Sequence, residues 1–382
     1  MYSEAKDGTG QPRRTSSLSL VVLVVILLIG GYVRFRELNW DEGQYIHPDE
    51  GHMRNTLSLI SWPDERSLYF DTHESPLNVR NIEGRRYSYG TLPLFVTRAA
   101  AEWLDIACTD AAAPLSHTVA SLLIGPSVEG CSPGTFTGVY SAMVGRSLSA
   151  LADLGTLILI YLIGRRLYGE TTGLFAAGLG AVTAFLIQQA HFFTVDSAAC
   201  FFTLWAAYFS VRASQVGRWG NFALAGLGVG LAAASKVSSA TAALLVALAG
   251  VYRLTGNTAW KEEEKTRLWS VFLGVCLAGL VSLIAFRVAQ PYAFEGPGFF
   301  GVRPSPEWFV RLSEIRAEQA GEADLPSGRQ WANRPAVAFP WVNIVVWGMG
   351  LPLGLAAWIG WGVAGFELFR GTRQGQRQFV LW

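Results

Sequence analysis

Charge is scarce in this sequence. Only 15% of the 382 residues are Asp, Glu, Lys or Arg, against roughly 25% in an ordinary soluble domain. Lysine occurs only at positions 6, 236, 261 and 265, so the basic residues are almost all arginine. The net charge of +1 leaves no electrostatic basis for a nucleic-acid partner. The four cysteines lack the close paired spacing of a zinc site. No small-residue cleavage site follows the first apolar run, which continues into "RFRELNWDE"; we read that run as a retained signal anchor. Nor is there an internal repeat of the kind many transporters carry.

Apolar residues are abundant, at 51% of the chain. A spanning helix needs about 20 of them in succession. Eight segments qualify as expected spans, near 17–33, 143–164, 172–190, 197–213, 219–235, 238–254, 269–287 and 342–364. The fold class read here is an all-α polytopic membrane protein, with surface helices in a large first loop. Several spans are rich in Gly and Ala, as in "LAGLGVGLAAAS", which lets helix backbones approach closely.

The short basic segments set the expected orientation. Lys6, Arg13 and Arg14 precede the first span; Arg165 and Arg166, Arg212 and Arg218, Arg253 with Lys261, Lys265 and Arg267, and Arg370, Arg373 and Arg377 fall on the same side if each span crosses once. The expectation is a cytoplasmic tail over 1–16 and a transmembrane domain over 17–382. Extracytoplasmic loops then cover 34–142 and 288–341. Residues 89–107 are read as an amphipathic helix at the outer surface, because a ninth span would invert every later segment. Cys108 and Cys131 share the first outer loop, where a disulfide is permitted but not dictated. Cys200 and Cys276 lie in apolar runs. The closing "RQFVLW" reads like the start of another helix, so a longer chain is an open expectation.

The chemistry gathers around "HPDEGHMR", residues 47–54, just past the first span. An acid pair in a loop is ordinarily only solvated. This one adjoins a membrane surface and follows a second pair, Asp41 and Glu42, set among aromatic residues. Polar residues at the ends of later spans fall on the same side: His191 and Asp196 in "HFFTVD", Lys236 in "AAASK", Arg146 and Arg287. Asp196 could equally cap a helix, and Lys236 could extend its amine to the surface. Ionisable groups at membrane depth are nonetheless functional candidates. Arg80, Arg85 and Arg86 precede the surface helix. Carboxylates beside guanidinium and ammonium groups suit an anionic substrate. In such a site a carboxylate base deprotonates a hydroxyl that attacks a sugar carbon, and the cations hold a leaving phosphate.

The order of these motifs resembles the GT-C superfamily of polyprenyl-phosphate-sugar-dependent glycosyltransferases. Within it the chain is similar to protein O-mannosyltransferases and lipid A aminoarabinose transferases, which are glycosyltransferase family 39-like. The resemblance rests on the aromatic-flanked Asp-Glu, "YGTLPL", "GRSLSALADLGTLILIYLIGRRLYG", "HFFTVD" and "GLAAASK". It implies Asp49 as general base, Glu50 as its neighbour and Asp196 as a second acid. The family's Lys-Pro-Pro-Leu-like segment falls on "GTLPL", where Gly90 and Thr91 replace the basic residue; Arg85, Arg86 or Lys236 would substitute. Lys236, Arg146, Arg287 and Arg85 are the expected phosphate contacts. Some members bind a divalent metal near these acids, and His47, His52, Asp49 and Asp196 are the residues here that could ligate one.

The expected function is inverting sugar transfer at the extracytoplasmic face of the plasma membrane. The donor is a polyprenyl-phosphate-linked sugar, and the acceptor is a lipid, glycan or protein hydroxyl. The alternatives are a secondary transporter of an anionic solute and a non-catalytic polymer-assembly scaffold.

Overall fold

The computed structural model describes residues 16–82, 87, 89–108, 114–124, 128, 129, 131–255, 264–296, 298–322, 329 and 333–370. Helices dominate. The first, α1 (Ser17–Phe35), starts where the Ser16 side chain accepts a hydrogen bond from the Ser19 amide, satisfying one of the orphan donors at a helix start. Three shorter helices, α2 (Pro48–Leu57), α3 (Thr91–Asp105) and α4 (Pro114–Ile124), precede the next long one, α5 (Ser141–Tyr168). The bundle continues with α6 (Glu170–Val182), α7 (Ala184–Ala190), α8 (Asp196–Val216) and α9 (Trp219–Ser235). It is completed by α10 (Ala243–Thr255) and α11 (Glu264–Ala289). A two-residue antiparallel pair, β1 (Phe294–Glu295) and β2 (Arg303–Pro304), leads into α12 (Pro306–Ala320). Then come α13 (Ala338–Val342) and α14 (Leu351–Phe369).

All eight apolar segments expected from the sequence are helical along most of their length. Five helices are long and apolar enough to cross a membrane one by one, over 17–35, 141–168, 237–255, 266–289 and 351–369. A sixth crossing is made if α6 and α7, bent by 61° at Thr183, are taken as one broken span. The chain is a multi-pass membrane protein. The two expected spans that fall short, α8 and α9, lie inside the bundle: α9 packs on α8 and α11, and α8 on α5 and α10. A helix facing other helices needs no lipid-grade surface, and this permits the polar residues of α8 and the 17-residue length of α9. Close approach replaces bulk there. A Cβ on Gly226 would lie 2.1 Å from the Ala278 carbonyl oxygen of α11. The surface helix expected over 89–107 is α3, whose 15 residues are too few to span.

The segment between α1 and α5 folds as its own layer at one end of the bundle. Its core is Met53, Leu57, Ile60, Leu77, Leu94 and Phe95, joined by Phe193 and Tyr292 from the bundle. The Cys108–Cys131 disulfide is formed. Beside it the Asp105 carboxylate accepts from the amides of Phe136 (2.7 Å) and Thr137 (3.2 Å), returning the chain to the head of α5. At the opposite end Arg166 donates to the side chain of Gln215, and Arg253 donates to the Gln215 carbonyl.

One buried ion pair fixes the broken span. Arg34, fully enclosed, donates to Asp153 of α5 and to the carbonyls of Gly30, Gly180 and Ala181. Gly180 and Ala181 end α6, where helix carbonyls lack intrahelical partners. Arg34 therefore supplies the donors that the bend at Thr183 removes. Asp153→Asn should lower stability by about 3–5 kcal/mol, because it strands a buried guanidinium charge. Arg34→Met combined with Asp153→Leu should recover most of the loss. Thermal unfolding of the detergent-solubilised protein, followed by circular dichroism, checks both.

Candidate active site

The site is assembled at the end of the bundle nearest the α1–α5 layer. Pro48 occupies the first turn of α2, where its missing amide costs nothing, and Asp49 and Glu50 follow it. Acids in a first turn suit the helix dipole whatever else they do. Burial separates the two. Glu50 is fully buried, and Asp49 is partly exposed.

Glu50 and Asp41 share one cation. Arg146 Nε and Nη2 donate to the two Glu50 oxygens, each at 2.6 Å. Its Nη1 and Nη2 donate to the two Asp41 oxygens at 3.0 and 2.7 Å, and Nη1 also reaches the Leu38 carbonyl at 2.6 Å. These five bonds account for the five N–H donors of a guanidinium. Trp40 closes the guanidinium face, with its ring centroid at 5.5 Å. Burial alone would raise the Asp41 carboxyl. The Arg146 hydrogen bonds and charge, with the Gly43 and Tyr45 amides, outweigh it and hold Asp41 below its ordinary value. Glu50 also accepts from the Phe193 amide at 2.9 Å. The Phe193 ring fills the place a side chain at Gly145 would occupy: a Cβ there would lie 2.1 Å from it. The clamp thus ties α2 to α5 and to the loop that delivers Asp196.

This arrangement corrects three expectations. Arg146 has no donor left for a phosphate. Glu50 has no exposed oxygen for catalysis; it anchors the helix that presents Asp49. Arg287 is 1% exposed and donates to the carbonyls of Phe299, Pro291 and Gly298, with its charge 4.7 Å from the Phe70 ring centre. It organises the loop after α11 instead of facing a substrate. Arg85 and Arg86 lie outside the described residues.

Asp49, Asp196 and Lys236 do converge. Asp196 opens α8, and Lys236 closes α9 as its C-cap. Lys236 Nζ lies 2.7 Å from Asp196 Oδ1, with both side chains close to half exposed. Tyr89 links this pair to Asp49: its phenol stands in the field of both the Asp49 and the Asp196 carboxylates. Burial, and then the Asp49 charge, push the Tyr89 hydroxyl well above its ordinary value, so it stays protonated and remains a donor at neutral pH. Tyr89 was not among the candidates read from the sequence. It precedes "GTLPL", and a polar aromatic beside a motif was the available signal.

Gly90 explains why no basic residue stands there. Its amide donates to the Ser235 carbonyl at 3.1 Å, and a Cβ would lie 2.0 Å from the Ala234 carbonyl oxygen. The next residue, Thr91, donates through its amide and hydroxyl to Gln290 Oε1, both at 2.6 Å. The backbone itself occupies the space a lysine would need.

Among the described residues no three His, Cys, Asp or Glu side chains gather as a ligand set. His47 packs against Phe192 (ring centres 4.5 Å apart), and His52 stacks on Tyr87 (5.6 Å). Each ring is packed against an aromatic partner.

Residues 136–286 match the Dolichyl-phosphate-mannose-protein mannosyltransferase family. The match covers about two fifths of the chain, from the head of α5 to the end of α11. It includes Asp196 and Lys236 and meets the GT-C resemblance read from the sequence. Among curated proteins none matches. Solved structures resemble the chain at low identity. One is the S. cerevisiae protein O-mannosyltransferase Pmt1-Pmt2 complex bound to the sugar donor (TM-score 0.49, 15% identity, 74% of this chain and 35% of that one). Another is the oligosaccharyltransferase AglB from Archaeoglobus fulgidus in complex with an inhibitory peptide and a dolichol-phosphate (0.47, 17%, 96% and 36%). A third is the A. fulgidus oligosaccharyltransferase complex with Zn and sulfate (0.48, 16%, 94% and 45%). The chain spans less than half the length of each.

The clamp makes a pH prediction. Asp41 is depressed in the folded protein, so its contribution is fully present above its unfolded value, about pH 4. It is lost as pH falls through the lower folded value. Asp41→Asn should therefore destabilise at pH 7 and converge with wild type in stronger acid. Arg146→Lys should not rescue, because an ammonium offers three donors where five are used. Unfolding midpoints measured across pH 2.5–7 test both.

Proposed function

We propose that the protein transfers a sugar from a polyprenyl-phosphate donor to an acceptor hydroxyl, with Asp49 as general base. The observation that carries this reading is the division of labour within "PDE". Glu50 is locked to Arg146, while Asp49, one residue earlier on the same rigid turn, is left partly exposed beside Tyr89, Asp196 and Lys236. The family match over 136–286 supports the reaction class.

In this reading the acceptor hydroxyl gives its proton to Asp49. Its oxygen attacks the anomeric carbon from the face opposite the phosphate, the bond from that carbon to the phosphate oxygen breaks, and configuration inverts. The leaving phosphate stays on its lipid. Lys236 meets it: one of the three ammonium donors is used on Asp196, and two remain. Tyr89 stays protonated and orients the Asp49 carboxylate. Asp196 positions Lys236 and balances its charge when no phosphate is bound.

The site end is extracytoplasmic and the membrane is the plasma membrane in this proposal. Two features support the side. A disulfide between Cys108 and Cys131 suits an oxidising compartment. Arg166, Arg212, Arg253 and Arg267 gather towards the opposite ends of the helices, as cytoplasmic basic residues do. The rival transporter reading asks for broken helices in paired halves, whereas one bent pair is present among the described residues.

Radiolabelled polyprenyl-phosphate sugars offered to purified protein in nanodiscs test the proposal. Asp49→Asn should reduce turnover by about 10²–10⁴-fold, the usual worth of a positioned base, without changing the unfolding midpoint. Lys236→Met should slow transfer too. Full transfer by correctly inserted Asp49→Asn protein would reject the base.

A further inference from the structure

A cleft opens beside Tyr89 and reaches Val237, the residue after Lys236; the site described so far does not use its remaining walls. Arg80, Tyr87, Tyr89, Gln290, Trp308 and Ile315 line it. Gln290 is 4% exposed. Its Oε1 accepts both Thr91 bonds, which fixes the amide the right way round. Its Nε2 has no partner among the described residues. Arg80 donates through Nη1 to the Tyr292 carbonyl (3.2 Å) and Ser305 Oγ (3.3 Å); its Nε and Nη2 likewise have no partner among those residues. Two planar donor groups, both held from behind, therefore border one space.

The roof is α12. Trp308, Arg311, Leu312 and Ile315 line the cleft at helical spacing, and no described residue of α12 is buried. The helix covers the cleft without packing into a core. Tyr89 itself lines the cleft and feels the Asp49 charge, so the cleft reaches the Asp49 end of the site.

Ring faces beside fixed planar donors are the recognition set of a sugar: its C–H face lies on an aromatic ring and its hydroxyls take the hydrogen bonds. The charges balance. Arg311 is paired with Glu314 (2.7 Å) and Glu318 (3.2 Å), and Arg80 stands in the field of Glu307 and Glu295. A neutral ring fits better than an anionic one. Most of the wall comes from segments outside the helices of spanning length, namely Asn78–Arg80, Tyr87–Tyr89 and α12. That is the side from which a water-borne acceptor approaches, while Val237 carries the edge of the cleft to the span that follows Lys236, along which a lipid-borne donor enters. We propose that this cleft is an acceptor subsite for a neutral saccharide unit, which presents its hydroxyl to Asp49. The proposal rests on the glycosyltransferase reading and names its acceptor class.

Saturation-transfer NMR on the protein in nanodiscs tests it, with methyl glycosides of mannose, galactose, arabinose and N-acetylglucosamine, and a Ser/Thr-containing hexapeptide, as probes. At least one glycoside should bind the wild-type protein. Trp308→Ala and Arg80→Met should each weaken that binding, and in the transfer assay raise the acceptor KM by about tenfold with kcat little changed. Trp308 is on an unburied helix, so its variant is expected to fold as wild type. Silence from every glycoside overturns the proposal, as does binding indifferent to both substitutions. A signal from the hexapeptide alone assigns the cleft to a protein acceptor, and displacement of the glycoside by polyprenyl-phosphate sugar assigns it to the donor; either overturns it. Glycoside binding that depends on Trp308, in protein that transfers from no lipid-linked sugar, supports the subsite and removes the reaction instead.

Discussion

Everything at the site end of the molecule hangs on one fully engaged guanidinium. Arg146 takes Asp41 from the first acid pair and Glu50 from the second. Two buried carboxylates and one buried cation leave a net negative charge in a low-dielectric place. Such a cluster persists only when every donor and acceptor is used, and the backbone supplies what remains. The amides of Gly43, Tyr45 and Phe193 all point at these carboxylates. A cluster so constrained has one geometry, and that geometry sets the direction of α2. Rigidity of this kind is what a base needs if a reacting oxygen is to be held within a fraction of an ångström.

A second knot complements it. Gly90 sits against the end of α9, and Thr91 is bonded to Gln290 beyond α11. Through two adjacent residues, α3, α9 and the chain after α11 are joined at one point. Lys236 follows Ser235 directly, so the same contact that excludes a lysine at position 90 places a lysine a residue away. A cation absent from one motif is supplied by another element arriving at the same place.

Much of the helix plan was legible because apolar runs leave little choice: a chain with so few charges must bury its backbone groups in helices. The Asp196–Lys236 pairing could be anticipated from polar residues at the ends of successive spans. The partition of "PDE" could not, because adjacent positions on a helix diverge by about 100° and sequence does not say which faces inward. Arg146 and Arg287 illustrate the same limit. An arginine at a membrane boundary reads as a substrate contact, yet carbonyls and carboxylates from distant segments claim both. His47 and His52 read as ligands, and the aromatic rings of Phe192 and Tyr87 that pack against them could not be foreseen. Tyr89 and Gln290 gave no such signal, because neither is charged at neutral pH.

The separation along the chain between Arg146 and its partners, 96 residues to Glu50 and 105 to Asp41, has a consequence in time. At ordinary synthesis rates that interval is roughly 5–20 s. Throughout it both carboxylates have been made and their buried counter-ion has not. Phe193, whose amide completes the Glu50 shell, comes later still. The layer between α1 and α5 therefore cannot settle as it emerges. It must wait, hydrated, for α5 to arrive, and the site is closed from the far end of the sequence backwards.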